Sequence, residues 1–155
     1  MNKYEATIGL ETHVMQKTVT KMFCGCKYVY GAAANTHVCP VCLGYPGAMP
    51  VLNKKAIELS CKAGLLLNCS INRLSRWDRK NYFYPDMAKN YQITQADQPL
   101  CLDGFIEVDV NGTRKRFEIE RIHQEENAAK NIHVSGASLV DYNRAGTALL
   151  EIVSH

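Results

Sequence analysis

The chain has 155 residues, 46% of them hydrophobic, with a formal net charge of +3. That length and apolar content suffice for one well-buried core, so a single domain is expected. The mild charge permits an anionic partner such as RNA or ATP without demanding one, and no stretch approaches the ~20 apolar residues of a membrane span.

Residues Met1 to Glu5 hold no apolar signal-like run. Thr7 to Val14 then alternates: Ile8, Leu10, Thr12 and Val14 point one way, Thr7, Gly9, Glu11 and His13 the other. Period two with β-branched residues predicts a strand with one polar face. Next come Cys24-Gly25-Cys26 and, twelve residues on, Cys39-Pro40-Val41-Cys42. Two close thiol pairs joined by a short loop suit one tetrahedral Zn²⁺, with Pro40 fixing φ and Gly44 free to take a turn at positive φ. Four thiolates leave no open coordination position, so this zinc would staple the loop and take no part in catalysis; a metal-free set of thiols is the alternative. His37 could replace one sulfur, although four cysteines make that unnecessary. Seven cysteines, an odd number, fit a reducing compartment, with Cys61, Cys69 and Cys101 as inert core thiols.

Asn53 is a suitable N-cap for a helix over Lys54 to Leu67, whose apolar residues recur at helical spacing, and Asn68 suits its C-terminal cap. Residues Ile71 to Tyr91 read as irregular. Strands are predicted over Gly104 to Val110 and Arg114 to Ile119, joined by the hairpin turn Asn111-Gly112. Short strands at Leu139 to Asn143 and Leu149 to Val153 flank the turn Arg144-Ala145-Gly146. The class is α+β, mainly antiparallel sheet with packed helices. The run Ala148 to His155 is still strand-like where the chain stops, so an incomplete domain is expected.

Two polar groupings carry possible chemistry. Glu11 and His13, two apart on a strand, project from one face ~7 Å apart. His123-Gln124-Glu125-Glu126 closes the second hairpin strand, and its adjacent glutamates repel unless a cation or solvent intervenes. Carboxylates with an imidazole suit Mg²⁺ or Mn²⁺ beside a polyphosphate; a solvated strand face and a charged turn are the bland alternative. His133, His37 and His155 read as surface residues. The stretch Arg73 to Tyr91 interleaves Arg73, Arg76, Arg79, Lys80 and Lys89 with Trp77, Tyr82, Phe83 and Tyr84. It could bind RNA by stacking, line a polar pore, or form core aromatics with a solvated rim. The usual phosphate-loop, dinucleotide, serine-hydrolase and zincin motifs are missing.

Several stretches carry a family resemblance: Ile8-Gly9-Leu10-Glu11-Thr12-His13-Val14, Cys39-Pro40-Val41-Cys42-Leu43-Gly44, and Asp78-Arg79-Lys80-Asn81-Tyr82-Phe83-Tyr84-Pro85-Asp86. Arg121-Ile122-His123-Gln124-Glu125-Glu126 and Leu139-Val140-Asp141-Tyr142-Asn143-Arg144-Ala145-Gly146 extend it. In order and spacing, from about Tyr4 to Ser154, the chain resembles the B subunit of glutamyl/aspartyl-tRNA amidotransferases. The resemblance implies that residues 1–155 form the N-terminal part of that protein's catalytic (cradle) domain, with a zinc-binding insertion at 24–42. It also implies a fold similar to glutamine synthetase and guanidino kinases.

The implied activity is a ligase reaction of protein biosynthesis. ATP phosphorylates the side-chain carboxylate of Glu-tRNA(Gln) and/or Asp-tRNA(Asn), and glutamine-derived ammonia displaces the phosphate. The partners implied are the misacylated tRNA, an amidase (the A subunit) and a small C subunit, in a bacterial cytoplasm, with an organelle as the alternative origin. By position, Glu11, His13 and Glu126 become Mg²⁺ ligands, with Glu125 a neighbour; Lys80, Tyr82 and Lys89 match the ammonia channel. Asn143 and Arg144 match nucleotide contacts, and Cys24, Cys26, Cys39 and Cys42 match a structural Zn²⁺ site found in part of the family. Asn127 departs from the Asp that many relatives carry there. The alternatives are a non-catalytic, zinc-stapled RNA- or protein-binding module, and a fragment without independent activity.

Overall fold

The computed structural model describes residues 3–155. In chain order its elements are β1 (Glu11–Met15), α1 (Lys54–Leu66), β2 (Ser70–Ile71), β3 (Asp78–Asn81), β4 (Tyr91–Thr94), β5 (Cys101–Val110), β6 (Thr113–Glu126), β7 (Lys130–Val134), β8 (Ala137–Asp141) and β9 (Ala148–Ser154). A five-stranded antiparallel sheet in the order β1-β9-β6-β5-β2 is the frame, and two small hairpins, β3-β4 and β7-β8, attach to it. The architecture is mainly antiparallel sheet with one helix among the described residues, where packed helices were expected.

The helix begins where the sequence places it. The Asn53 side chain accepts from the backbone N–H groups of Lys55 (2.9 Å) and Ala56 (3.4 Å), satisfying two donors that no helical carbonyl can reach. At the other end Asn68 takes φ +58 and turns the chain back, with the Cys69 N–H donating to the Gly64 carbonyl at 2.8 Å. The helix lies on one face of the sheet. Its Ile57, Cys61 and Ala63 pack against a buried cluster of Leu100, Cys101, Ile119, Ile122 and Leu150. A second cluster of Met22, Phe23, Ala56, Ile93 and Ala148, with Trp77 and Tyr91 against it, joins the cysteine loop to β4 and β9.

The hairpin turn forms as its residues dictate: Asn111 and Gly112 take φ of +52 and +79, the paired positive values of the turn that matches strand twist. Three strand expectations change. The region from Ile71 to Tyr91 is not wholly irregular, because Asp78–Asn81 pairs with Tyr91–Thr94. β3 holds Asp, Arg, Lys and Asn, so it lacks the apolar alternation by which a strand is read. The second hairpin strand runs seven residues past Ile119, to Glu126, since β9 pairs with its distal half. The strand expected at Leu139 to Asn143 is the second arm of a hairpin, Ala137–Asp141, whose first arm is Lys130–Val134. β1 is shorter than Thr7 to Val14: Ile8 and Leu10 are exposed, although Leu10 still exchanges hydrogen bonds with Ser154.

Candidate functional site

Cross-strand register assembles the site. His13 on β1 stands opposite Glu151 on β9, and Glu151 stands opposite His123 on β6. Directly opposed residues in antiparallel strands share a face and lie ~5 Å apart. Glu125, two residues beyond His123, falls on that face as well. Glu126, Gln124 and Ile122 alternate to the other face, toward the helix. One side of the sheet is therefore an acid–imidazole surface and the other is core.

The four side chains close a ring. His13 Nε2 lies 3.4 Å from Glu125 Oε2 and 3.3 Å from Glu151 Oε2. His123 Nε2 lies 3.3 Å from Glu125 Oε1 and 3.1 Å from Glu151 Oε2. Glu125, His123 and Glu151 are buried at the floor of a cleft, whereas the His13 side chain is half exposed. Thr94 Oγ1 and Gln92 Nε2 donate to Glu125 at 3.2 and 3.3 Å, which fixes its orientation from β4. The cleft, about 480 Å³, is also lined by Glu11, Lys80, Gln95 and Arg121.

Electrostatics separate the two carboxylates. Burial pushes Glu125 up, but hydrogen bonds from His123 and Glu151 outweigh it and hold the carboxyl at about 2. Burial and then the neighbouring Glu125 push Glu151 above the usual carboxylate range. Two buried acids this close cannot both ionise unless a positive charge sits with them. His13, Glu125 and Glu151 each offer a ligand atom, all within 4.8 Å of one another. The Nδ1 of His123 is buried without a partner among the described residues.

A second ligand set lies in the loop between β1 and α1. The sulfurs of Cys24, Cys26, Cys39 and Cys42 are all within 4.8 Å of one another, and those of Cys39 and Cys42 are 3.9 Å apart. A tetrahedral ion with bonds of ~2.3 Å separates its sulfurs by ~3.8 Å, so the set fits zinc. The backbone N–H of Cys39 donates to the Cys42 sulfur at 3.2 Å. A hydrogen bond from Cys24 holds the Cys42 thiol down at about 4, while burial pushes Cys26 up to about 11. His37 is not in this group; its backbone N–H donates to Asn143 Oδ1 at 2.8 Å. Gly44 takes φ +69, as the turn after Cys42 requires, and a Cβ there would stand 2.8 Å from the Ala88 carbonyl oxygen. The cysteine knuckle thus presses on the backbone that carries Lys89.

A family model described as the GatB/GatE catalytic domain matches residues 6–155. The chain belongs to that family. It is 59% identical over 152 residues to the B subunit of the aspartyl/glutamyl-tRNA(Asn/Gln) amidotransferase of Clostridium botulinum (strain Loch Maree / Type A3), covering 97% of this chain and 32% of the relative. It is 61% identical over 153 residues to the protein of the same description from Clostridium novyi (strain NT), covering 98% and 32%. The chain spans about a third of the length of the curated relatives it matches. No helix among the described residues is long and apolar enough to cross a membrane.

Within this GatB/GatE domain the expected site residues divide between the two faces. Glu11 and Glu125 line the cleft with Lys80, and His13 contacts Glu125 from β1, while Glu126 faces the opposite side. There its carboxylate pairs with the buried Lys89 and accepts from the Ile93 N–H at 3.0 Å. Lys89 also lies over the Tyr91 ring, 5.4 Å from its centre. Tyr82 is partly exposed beside Tyr84, ring centres 6.0 Å apart. Asn143 is buried and donates to the Ala33 carbonyl at 2.7 Å; Arg144 donates to the carbonyls of Ala128 and Ala129 at 3.0 and 2.8 Å. The Asn127 backbone exchanges hydrogen bonds with Gly146 and Thr147. His133 touches Ser138 and Tyr84 on the surface. Sequence reasoning passes over Glu151 and gives no role to His123. Glu151 is the one charged residue in the apolar run Ala148 to Val153, and that isolation is the signal that could have found it.

Proposed function

We propose that this domain activates a side-chain carboxylate for amidation, as part of a tRNA-dependent amidotransferase of protein biosynthesis. A carboxylate oxygen of Glu-tRNA(Gln) or Asp-tRNA(Asn) attacks the γ-phosphorus of ATP, ADP leaves, and ammonia then displaces phosphate from the acyl carbon. An amidase partner, a small third partner, the tRNA and a bacterial cytoplasm belong to the same proposal, as does kinship with the glutamine synthetase fold. The observation that carries it is the ring of Glu125, Glu151, His13 and His123 beneath an open cleft, in a chain whose relatives are named for this activity.

His13, Glu125 and Glu151 would hold Mg²⁺, with Glu11 at the rim in reach of a hydrated ion; the donor set of oxygens and one imidazole suits it. Bound there, the ion would offset charge on the transferring phosphoryl group. The protein's own part is positional. Thr94, Gln92 and His123 fix the carboxylates from two directions, so no reorganisation is needed as charge develops. Lys80 and Arg121 supply positive charge at the cleft, where a triphosphate would enter. On the far face, Lys89 and Glu126 form a polar pair among Phe23 and Tyr91 that suits passage of ammonia. The four thiols would hold Zn²⁺ as a staple.

The test is His13→Ala and Glu151→Gln in the full-length protein with its partners. Loss of ATP-dependent conversion of Glu-tRNA(Gln) to Gln-tRNA(Gln), with glutamine hydrolysis retained, supports the proposal. Conversion at the native rate in both variants contradicts it.

A further inference from the structure

Lys21 is the most deeply buried charged residue among those described, 1% exposed, and neither the sheet core nor the proposed chemistry accounts for it. A buried ammonium needs an anion or acceptors for its three donors. Among the described residues its Nζ makes one hydrogen bond, to the Tyr142 carbonyl at 3.1 Å, and no ion pair with a carboxylate within 4 Å. The neighbouring carboxylates are engaged elsewhere. Glu126 is held by Lys89 and the Ile93 N–H, and Asp141 by the backbone N–H groups of Asn35 and Asn143.

What Lys21 does adjoin is the thiol cluster, on both of its halves. Its backbone N–H donates to the Cys26 carbonyl at 2.9 Å, which ties it to the first pair. A Cβ built on Gly146 would stand 3.6 Å from Lys21 Cδ and 3.8 Å from Cys42 Cβ, so the lysine stem and the second pair lie against one glycine. The Cys42 thiol is held down first by the hydrogen bond from Cys24, and the charge of Lys21 acts in the same direction. Four thiolates around a divalent ion leave about two negative charges, and here Cys42 is buried. The Cys39 N–H offsets part of that charge at the Cys42 sulfur, 3.2 Å away; the Lys21 ammonium adds a full positive charge.

We propose that Lys21 is the counter-charge of the thiolate site, raising its affinity for Zn²⁺ and tying the loaded loop, through the Tyr142 carbonyl, to the turn that leads into β9. The loaded site gives the ammonium its anion; the empty loop gives it less. Lys21 touches no reacting group in this role and acts through the sulfurs, as the outer partners of metal ligands do. The proposal rests on the reading of the four thiols as a Zn²⁺ site and is independent of the acid–imidazole ring.

The experiment competes a chromophoric chelator for Zn²⁺ against the full-length native protein, Lys21→Gln and Lys21→Arg. Each protein is also melted with the ion bound and after its removal under reducing conditions. Gln keeps a donor for the Tyr142 carbonyl without the charge, and Arg keeps the charge. Lys21→Gln weakens Zn²⁺ binding by about tenfold to a hundredfold, and Lys21→Arg recovers most of the loss. The melting temperature of Lys21→Gln falls with the ion bound and holds without it, a difference that a packing role would not produce. Native Zn²⁺ affinity in Lys21→Gln overturns the inference, as does an equal fall in melting temperature with and without the ion. A native protein that binds no Zn²⁺ overturns the zinc reading itself, and the role of Lys21 with it.

Discussion

Replacing Lys89 by Met removes one member of a buried ion pair. Its side chain is 9% exposed and that of Glu126 only 3%, so solvent cannot take over the lost charge. Glu126 would keep one hydrogen bond, from the Ile93 N–H at 3.0 Å, in place of an ammonium and that bond together. Breaking a buried pair from one side costs about 3–5 kcal/mol, because the remaining charge is stranded. Against a total stability of about 5–15 kcal/mol that is a large fraction. Removing the second charge as well should recover most of it, since a neutral pair carries no desolvation penalty of this size. The assay is urea unfolding followed through Trp77, the chain's one tryptophan, which packs against the same cluster as Ile93 and Tyr91. The expected order is native, then Lys89→Met/Glu126→Gln, then Lys89→Met as the least stable. If Lys89→Met lies within about 1 kcal/mol of native, the reasoning fails, because a cost that small is typical of an exposed pair. It also fails if the double variant is no more stable than Lys89→Met.

Asn53→Ala removes the helix cap together with donors to the Thr20 and Lys21 carbonyls, and should cost about 1–2 kcal/mol; Asn53→Asp keeps the cap and should cost less. Burial, then the neighbouring Cys69 and Cys61, push the Cys101 thiol up to about 12. An unfolded chain ionises that thiol near 9 while the folded one stays neutral. Stability is therefore full below pH ~9 and falls by up to about 1.4 kcal/mol per pH unit between about 9 and about 12. Cys101→Ala should flatten that slope in melts across this range; an unchanged slope contradicts the assignment. Zinc content measured on the purified chain should be one ion per chain, and Cys39→Ser should abolish it and lower the melting temperature. Gly44→Ala forces a Cβ against the Ala88 backbone at positive φ and should destabilise by about 1–3 kcal/mol with zinc retained.

Much of this fold is written locally. The helix with its Asn53 cap, the Asn111-Gly112 hairpin and the alternation around Glu11 and His13 each follow from a few adjacent residues. β3 escapes because its four polar residues pair only with β4, and nothing in Asp78 to Asn81 announces a partner. The site is legible only in part. Glu11, His13, Glu125 and Glu126 carry chemistry in the sequence, with Glu126 expected as the ligand and Glu125 as its neighbour; the alternation of β6 puts Glu125 in the ring and turns Glu126 to Lys89 on the other face. Glu151 becomes a partner of His13 only when β9 inserts between β1 and β6. That register joins residues far apart in the chain, and no local pattern encodes it.

The central claim is that Glu125, Glu151 and His13 hold a divalent cation at the working cleft. Titrating Mn²⁺ into the full-length protein, with bound ion read by electron paramagnetic resonance, tests it most directly. The account predicts one site that Glu125→Gln, Glu151→Gln and His13→Ala each weaken by at least about tenfold, while Cys39→Ser leaves it intact. Mn²⁺ bound with native affinity by Glu125→Gln and Glu151→Gln would contradict it.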